Sequence, residues 1–267
     1  MPYLPGIGGP SPRAPLLLRA SVCPAPPDRP ARMPSSPPLV VAIDGPPASG
    51  KGTTAKALAR ALGDGWAYLD TGAMYRAVTV AALDAGVDLG DPASAARVTA
   101  IARGAQVDLD PLTGGVRING RDVTGVIRTQ RVAKAVIVVA KIPEVRRVMM
   151  DLQRGFATRC GSIVAEGRDM ATVVFPGAFV KIYLDATLKE RARRRYEEER
   201  KKGSAVTLEE IERSIAERDR EDEERGLAPL VRAPDAVVVD TTGRTPAQVL
   251  DEVLALVRSR IPPVASR

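Results

Sequence analysis

Short apolar runs recur along most of this chain, and helix-periodic segments lie between most of them. The runs are "LVVAID" (39–44), "WAYLD" (66–70), "SIVAEG" (162–167), "FVKIYLDA" (179–186) and "AVVVDT" (236–241). Runs this short and this continuously apolar suit strands covered on both faces. Their alternation with helical segments predicts an α/β fold, a five-stranded parallel sheet flanked by helices. One stretch breaks the alternation. "QVDLDPLTGGVRINGRDV" (106–123) holds two alternating runs about a Gly-Gly turn and predicts a hairpin. It falls inside a long insertion between the second and third core strands, residues 84–158, expected to pack as a subdomain at the sheet's edge.

Ahead of the first strand, residues 1–38 carry 12 of the 23 prolines, with Arg13, Arg19, Arg29 and Arg32 against a single acid, Asp28. Lacking periodicity, this stretch reads as a disordered tail. An Arg-rich, acid-poor targeting segment and a true start at Met33 are compatible with the same pattern. One folded domain is expected over 39–262, followed by a short tail at 263–267.

Composition narrows the chemistry. Cys23 and Cys160 form no spacing pattern, so neither a disulfide framework nor a zinc site is expected, and a reducing cytoplasm is the default compartment. No apolar run approaches the roughly 18 residues that span a bilayer. The chain has no histidine, which excludes Ser-His-Asp triads, His-ligated metals and imidazole bases. Catalysis must then rest on carboxylates, Lys, Arg, backbone amides and bound ions, an inventory that suits phosphoryl transfer. The net charge of +7 comes from 39 basic and 32 acidic residues. A solvated basic surface, nucleic acid or one anionic ligand would each use it, and 3% aromatic content argues against a base-stacking platform.

The first strand runs into "GPPASGKGT" (45–53), which matches G-x-x-x-x-G-K with Gly52 where Ser or Thr is usual. Successive amides at a helix N-terminus converge on an anion, and Lys51 adds a mobile charge for outer phosphates. Glu166 and Asp185, at later strand ends, are candidates either to orient the waters of a Mg²⁺ or simply to cap loops.

Charge sits on unexpected helix faces. Thr207 with Glu210 opens a helix with a capping box, and the helix is expected to run to Gly226. Ile211, Ile215, Arg218, Asp222 and Arg225 then fall within about 80° of its surface. Either the helix outruns the core there, or the stripe faces a cleft holding an anion. A second capping box, Thr187 with Glu190, opens a helix on which Arg191, Arg194 and Arg195 share a face. That trio is either a solvated ladder or a lid over a triphosphate. "YLDTGAMYR" (68–76), "EGRDM" (166–170) and "IPEVRR" (142–147) add Thr71, Arg76, Arg168, Asp169 and Arg146 to the candidates, with Asp70 or Thr71 as a helix cap.

Taken together, "IDGPPASGKGT", "LDTGAMYR", "DVTGVIRTQ", "AEGRDMATVVFP", "KIYLDA" and "ERDREDEERGLAPL" resemble the bacterial cytidylate kinases, from about Val40 to Arg258. The resemblance implies a P-loop nucleoside monophosphate kinase fold, with an inserted nucleotide-binding subdomain (84–158) and a short lid (187–206). It implies ATP-dependent phosphorylation of CMP and dCMP, with Mg²⁺ but no direct protein ligand to it. By the same resemblance Gly45, Pro46, Pro47, Ala48, Ser49, Gly50, Lys51, Gly52 and Thr53 wrap the ATP phosphates. Arg76, Arg168 and Arg218 grip the acceptor phosphate, with Thr71 beside it. Asp222 contacts the sugar, Arg146 and Asp169 read the base, Arg191 and Arg195 belong to the lid, and Arg225 is a further cleft arginine. Ile137 stands where the family often has a base-reading Ser, and Pro47 and Ala48 replace more usual small loop residues. A cytoplasmic monomer acting on small molecules, without nucleic acid or membrane, is the expected setting. A kinase for another nucleoside monophosphate such as UMP, a nucleic-acid-stimulated ATPase and a non-catalytic nucleotide-binding regulator are the alternatives.

Overall fold

A computed structural model describes residues 39–110 and 112–261; the tail readings for 1–38 and 263–267 lie outside the described residues. All five core strands form where the apolar runs lie: β1 (Val40–Asp44), β2 (Trp66–Asp70), β6 (Ser162–Glu166), β7 (Val180–Asp185) and β8 (Val237–Asp240). They pair in parallel in the order β2-β6-β1-β7-β8. Ile43 pairs with Glu166 and Asp70 with Glu166, so the ends of β1, β2 and β6 meet at one edge of the sheet.

Each face of the sheet has its own core. Val41, Ile43, Val164, Ile182 and Leu184 pack against α1 (Lys51–Leu62) and α8 (Pro246–Arg260). Ala42, Leu69, Ile163 and Ala165 pack against α2 (Thr71–Asp84) and α5 (Pro143–Cys160). The insertion adds α3 (Ala95–Gly104), three strands and α4 (Gln130–Val139). Its Val107, Leu109, Val116 and Ile118 belong to the same cluster as Ala42 and Leu69. The insertion therefore shares its apolar core with one face of the sheet.

The predicted hairpin is a three-stranded sheet. β3 (Val107–Leu109) pairs with β4 (Val116–Ile118), which pairs in turn with β5 (Arg121–Asp122). The second turn is Asn119-Gly120, both at positive φ (51° and 81°), the backbone a two-residue primed turn demands.

The two arginine-bearing helices, α6 (Leu188–Lys201) and α7 (Leu208–Glu223), pack on each other around a small separate cluster of Ala192, Ile211 and Ile215. Ala48 of the glycine loop joins that cluster, so the helix pair rests on the loop with little apolar area of its own. Segments with few buried apolar contacts open at low cost. The α7 box forms reciprocally between Thr207 and Glu210. In α6 only half the expected box forms. Thr187 accepts from the Glu190 N–H, but the Glu190 carboxylate is taken by Arg193 and Arg194, and the Thr187 N–H goes to Thr242 Oγ1. Helix α7 also stops at Glu223, short of Gly226, which places Arg225 beyond the helix and outside its angular stripe.

Candidate active site

The loop after β1 is held by its backbone. Gly45 has φ 148°, and a Cβ there would fall 2.0 Å from the Leu184 carbonyl oxygen of the adjacent strand. Ala48 and Gly50 also take positive φ, turning the chain into α1 at Lys51. Lys51 is buried, and its Nζ donates to Pro46 O at 2.7 Å. Burial, reinforced by Arg168, pushes the ammonium down to about 7.

At the end of β1, buried Asp44 accepts N–H bonds from Met170 (2.9 Å) and Ala171 (2.8 Å). Burial raises its carboxyl to about 6 against the pull of those amides. Those amides open a π-helical turn, Met170–Val174, an uncommon geometry that often marks functional sites. The turn follows directly on Arg168 and Asp169, so Asp44 fixes both relative to the glycine loop.

The candidate acceptor residues are already paired with one another. Arg168 donates through Nε to Asp222 Oδ2 and through Nη1 to Gly45 O, both at 2.8 Å. Arg218 Nε lies 3.4 Å from the other Asp222 oxygen. Burial works against ionised Asp222, but Arg168 and Arg218 together hold it below the usual carboxylate range. Arg146 and Asp169 form a buried ion pair, with the Arg146 guanidinium 5.9 Å over the Tyr75 ring. Burial raises the Asp169 carboxyl even so. Arg76 donates to Ile127 O at 3.2 Å, and burial, helped by Arg218 and Arg128, lowers its pKa.

One cleft of about 1430 Å³ is lined by the loop from Pro47 to Thr53 and by Thr71, Arg76, Ile137, Arg146, Arg168, Asp169, Arg195, Arg218 and Arg225. Pockets for single small ligands run to roughly 1,000 Å³, so this one has room for two nucleotides. Four candidates do not line it: Gly45, Pro46, Arg191 and Asp222. Gly45 and Pro46 act from behind, through backbone. Arg191 is buried between α6 and α7, forked onto Asp219 at 2.7–2.9 Å with Ala186 O and Pro47 O as further acceptors. It ties α6 to α7 and to the glycine loop through Pro47 O, and is not free to face a ligand. Asp222 sits behind Arg168 and Arg218 as their counter-ion. The Thr71 hydroxyl is committed to Glu166 O at 2.7 Å, and Asp70 is the cap of α2.

Two contributors escape a reading of the sequence, Thr241 and Tyr68. Arg194 donates to Thr241 Oγ1 and O, and buried Thr241 in turn donates to Ser49 O, tying β8 and α6 to the glycine loop. Tyr68 donates to Glu166 Oε1 at 3.4 Å. The polar pair after β8 and the Tyr two residues before Asp70 were the only local signals.

Magnesium is the ion such a loop implies. Among the described residues, no three His, Cys, Asp or Glu side chains gather to hold a metal. Half-buried Glu166 lies beside Gly52 and Lys51, its carboxyl pushed up to about 7 by burial and then by Asp70. Asp185, by contrast, is exposed and accepts from its neighbour Ala186, so it caps a loop. One carboxylate beside a phosphate loop fits a Mg²⁺ that keeps its waters and phosphate oxygens as ligands.

Residues 41–259 match the profile of the family described as cytidylate kinase. The chain is 46% identical over 225 residues to a cytidylate kinase of Geobacillus kaustophilus (strain HTA426), covering 84% of this chain and 98% of that one. It is 48% identical over 225 residues to one from Solibacter usitatus (strain Ellin6076), covering 84% and 94%. For one from Mycobacterium avium (strain 104) the figures are 47% over 224 residues, covering 83% and 96%. With its parallel sheet, glycine loop and paired arginines in one cleft, the chain belongs to the cytidylate kinase family.

Proposed function

We propose that the protein transfers the γ-phosphoryl group of ATP to CMP and dCMP, giving CDP and dCDP. The observation that carries this reading is the buried Arg146–Asp169 pair in the wall of the cleft that also holds Lys51 and its loop. A phosphate-binding loop alone serves any triphosphate. A buried donor beside a buried acceptor in the same cleft selects a base.

In this reading the amides from Gly45 to Thr53 and the Lys51 ammonium hold the donor phosphates. Arg76, Arg168 and Arg218 hold the acceptor phosphate, whose oxygen is already nucleophilic, so the site needs alignment, charge shielding and dryness more than a base. Mg²⁺, when bound with ATP, supplies charge neutralisation at the transferring phosphates, and Glu166 with Thr53 would hold its outer shell. Arg194 and Arg195 face the cleft from the lid, while Arg191 keeps α6 on α7. Residues 84–158 serve as the acceptor subdomain and 187–206 as the lid. Arg225, whose pKa is lowered by burial and then by Arg146, lies close to the base-reading pair.

Cytosine offers an exocyclic amine to Asp169, and a ring nitrogen and carbonyl to Arg146. Uracil would set a carbonyl against the carboxylate, at a cost of about 1–3 kcal/mol. A coupled assay with CMP, dCMP, UMP and AMP tests the reading. CMP and dCMP should exceed UMP by at least about tenfold in kcat/KM; equal use of CMP and UMP would refute this account of the pocket. No described helix is long and apolar enough to cross a membrane. We read the protein as a cytoplasmic monomer acting on small molecules; ATPase activity that rises with added DNA or RNA would argue against that.

A further inference from the structure

Gly52 stands where phosphate-binding loops usually carry a hydroxyl, and two side-chain oxygens border the space that side chain would enter. A Cβ at Gly52 would lie 3.3 Å from Glu166 Oε1 and 3.5 Å from Tyr68 Oη. Both side chains come from the sheet. Tyr68 pairs in register with Val164, two residues before Glu166, so the alternation of strand side chains sends Tyr68 and Glu166 to the same face, the one α1 covers. There the Tyr68 hydroxyl donates to Glu166 Oε1. The Glu166 main chain is fixed separately, its carbonyl accepting from the Thr71 hydroxyl. The Tyr68 ring is buried, and its Cε1 lies 3.6 Å from where a Cβ at Gly114, in the turn of the insertion hairpin, would sit.

We infer that Tyr68 is a positioning residue that holds the Glu166 carboxylate in the place of the missing loop hydroxyl, and that Gly52 is required to leave that place open. The inference rests on reading this loop as the MgATP site. Its chemical content is a substitution of source. An oxygen that α1 would supply as an alcohol is supplied by β6 as a carboxylate, which suits a metal held through its waters. Partners of this kind, one shell removed from a metal, change affinity by about tenfold or more when lost.

Calorimetric titration of ATP, with excess Mg²⁺ and separately with EDTA, tests this on the wild type, Tyr68→Phe, Glu166→Gln, the double variant and Gly52→Ser. Tyr68→Phe keeps the ring and its packing. It should weaken ATP binding in Mg²⁺ by about tenfold while leaving binding in EDTA within about twofold. Added to Glu166→Gln it should change nothing further, because the hydroxyl acts only through that carboxylate. Gly52→Ser, although it restores the commoner loop residue, should also weaken binding in Mg²⁺ by crowding Glu166. Equal weakening with and without Mg²⁺, additive losses in the double variant, or a Gly52→Ser protein equal to wild type would each overturn the inference. A wild type whose ATP affinity ignores Mg²⁺ would instead overturn the functional reading beneath it.

Discussion

The two halves of the cleft are built from different materials. The half that would hold the phosphate donor is backbone: positive-φ turns at Gly45, Ala48 and Gly50, amides at the start of α1, and one buried lysine tied to Pro46 O. The wall proposed to hold the acceptor is side chains from four places in the chain, with Asp222 shared by Arg168 and Arg218, and Arg146 on Asp169. The loop's shape is set by its own backbone, whereas Arg146, Arg168 and Arg218 are paired with the protein's own carboxylates. Pairing lets cations stay half-buried without bearing the cost of uncompensated charge. On the proposed function, acceptor binding would exchange partners, arginine from carboxylate to phosphate, while the donor phosphates would meet a loop shaped by backbone alone. Arg168 touches both halves, through Gly45 O and Asp222.

The backbone half breaks most sharply at Gly45. Gly45→Ala sets a methyl group 2.0 Å from a main-chain oxygen that cannot rotate away. We expect ATP binding and nearly all turnover to be lost, with a lowered melting temperature. Near-wild-type ATP affinity by calorimetry would show that the loop is not held as described. Lys51→Ala should cost about 10²–10³ in kcat with the melting temperature little changed, because the lysine meets charge that shifts during transfer. Stopped-flow or steady-state rates within a few-fold of wild type would remove Lys51 from the mechanism.

The side-chain half is sharpened by a smaller change. Asp169→Asn retains a hydrogen-bond acceptor for Arg146 but removes its counter-charge, so some loss of stability is expected alongside the change in selectivity. It should narrow the CMP-to-UMP ratio by about tenfold, through loss of CMP activity, and leave ATP affinity alone. An unchanged ratio would take base reading away from Asp169.

The smallest expected effect concerns a proton. Burial holds the Lys51 ammonium down to about 7, so at pH 8 it is largely neutral. Arriving phosphates favour the charged form and raise that pKa. ATP binding at pH 8 should therefore take up most of a proton and weaken as pH rises further. Calorimetry in two buffers of different ionisation enthalpy reads the uptake, and Lys51→Ala should abolish it; uptake that persists in the variant would assign it elsewhere.

The sequence by itself determined the strands, the glycine loop and the helix caps. Each of these is a local pattern: period two or continuous apolarity over five residues, glycine where φ must be positive, a hydroxyl three residues before a glutamate. The motif set also carried the family and its chemistry. Only the tertiary structure decided what the charges do. Arg191 shares a helix face with Arg194 and Arg195, yet it is buried because Asp219, from another helix, meets it between α6 and α7. Asp222 continues the stripe of Ile211 and Ile215, as its spacing says. Its role as counter-ion depends on Arg168, which lies 54 residues away in sequence. Glu166 and Asp185 both end core strands, but the alternation of side chains sends Glu166 to the face α1 covers, beside the cleft, and Asp185 to the other face, where it is exposed. Tyr68 reads as one more apolar strand residue until β6 sets Glu166 beside it. Periodicity reports which side of an element faces inward, but an ion pair depends on what another element brings to that face, and that is settled only when the elements pack.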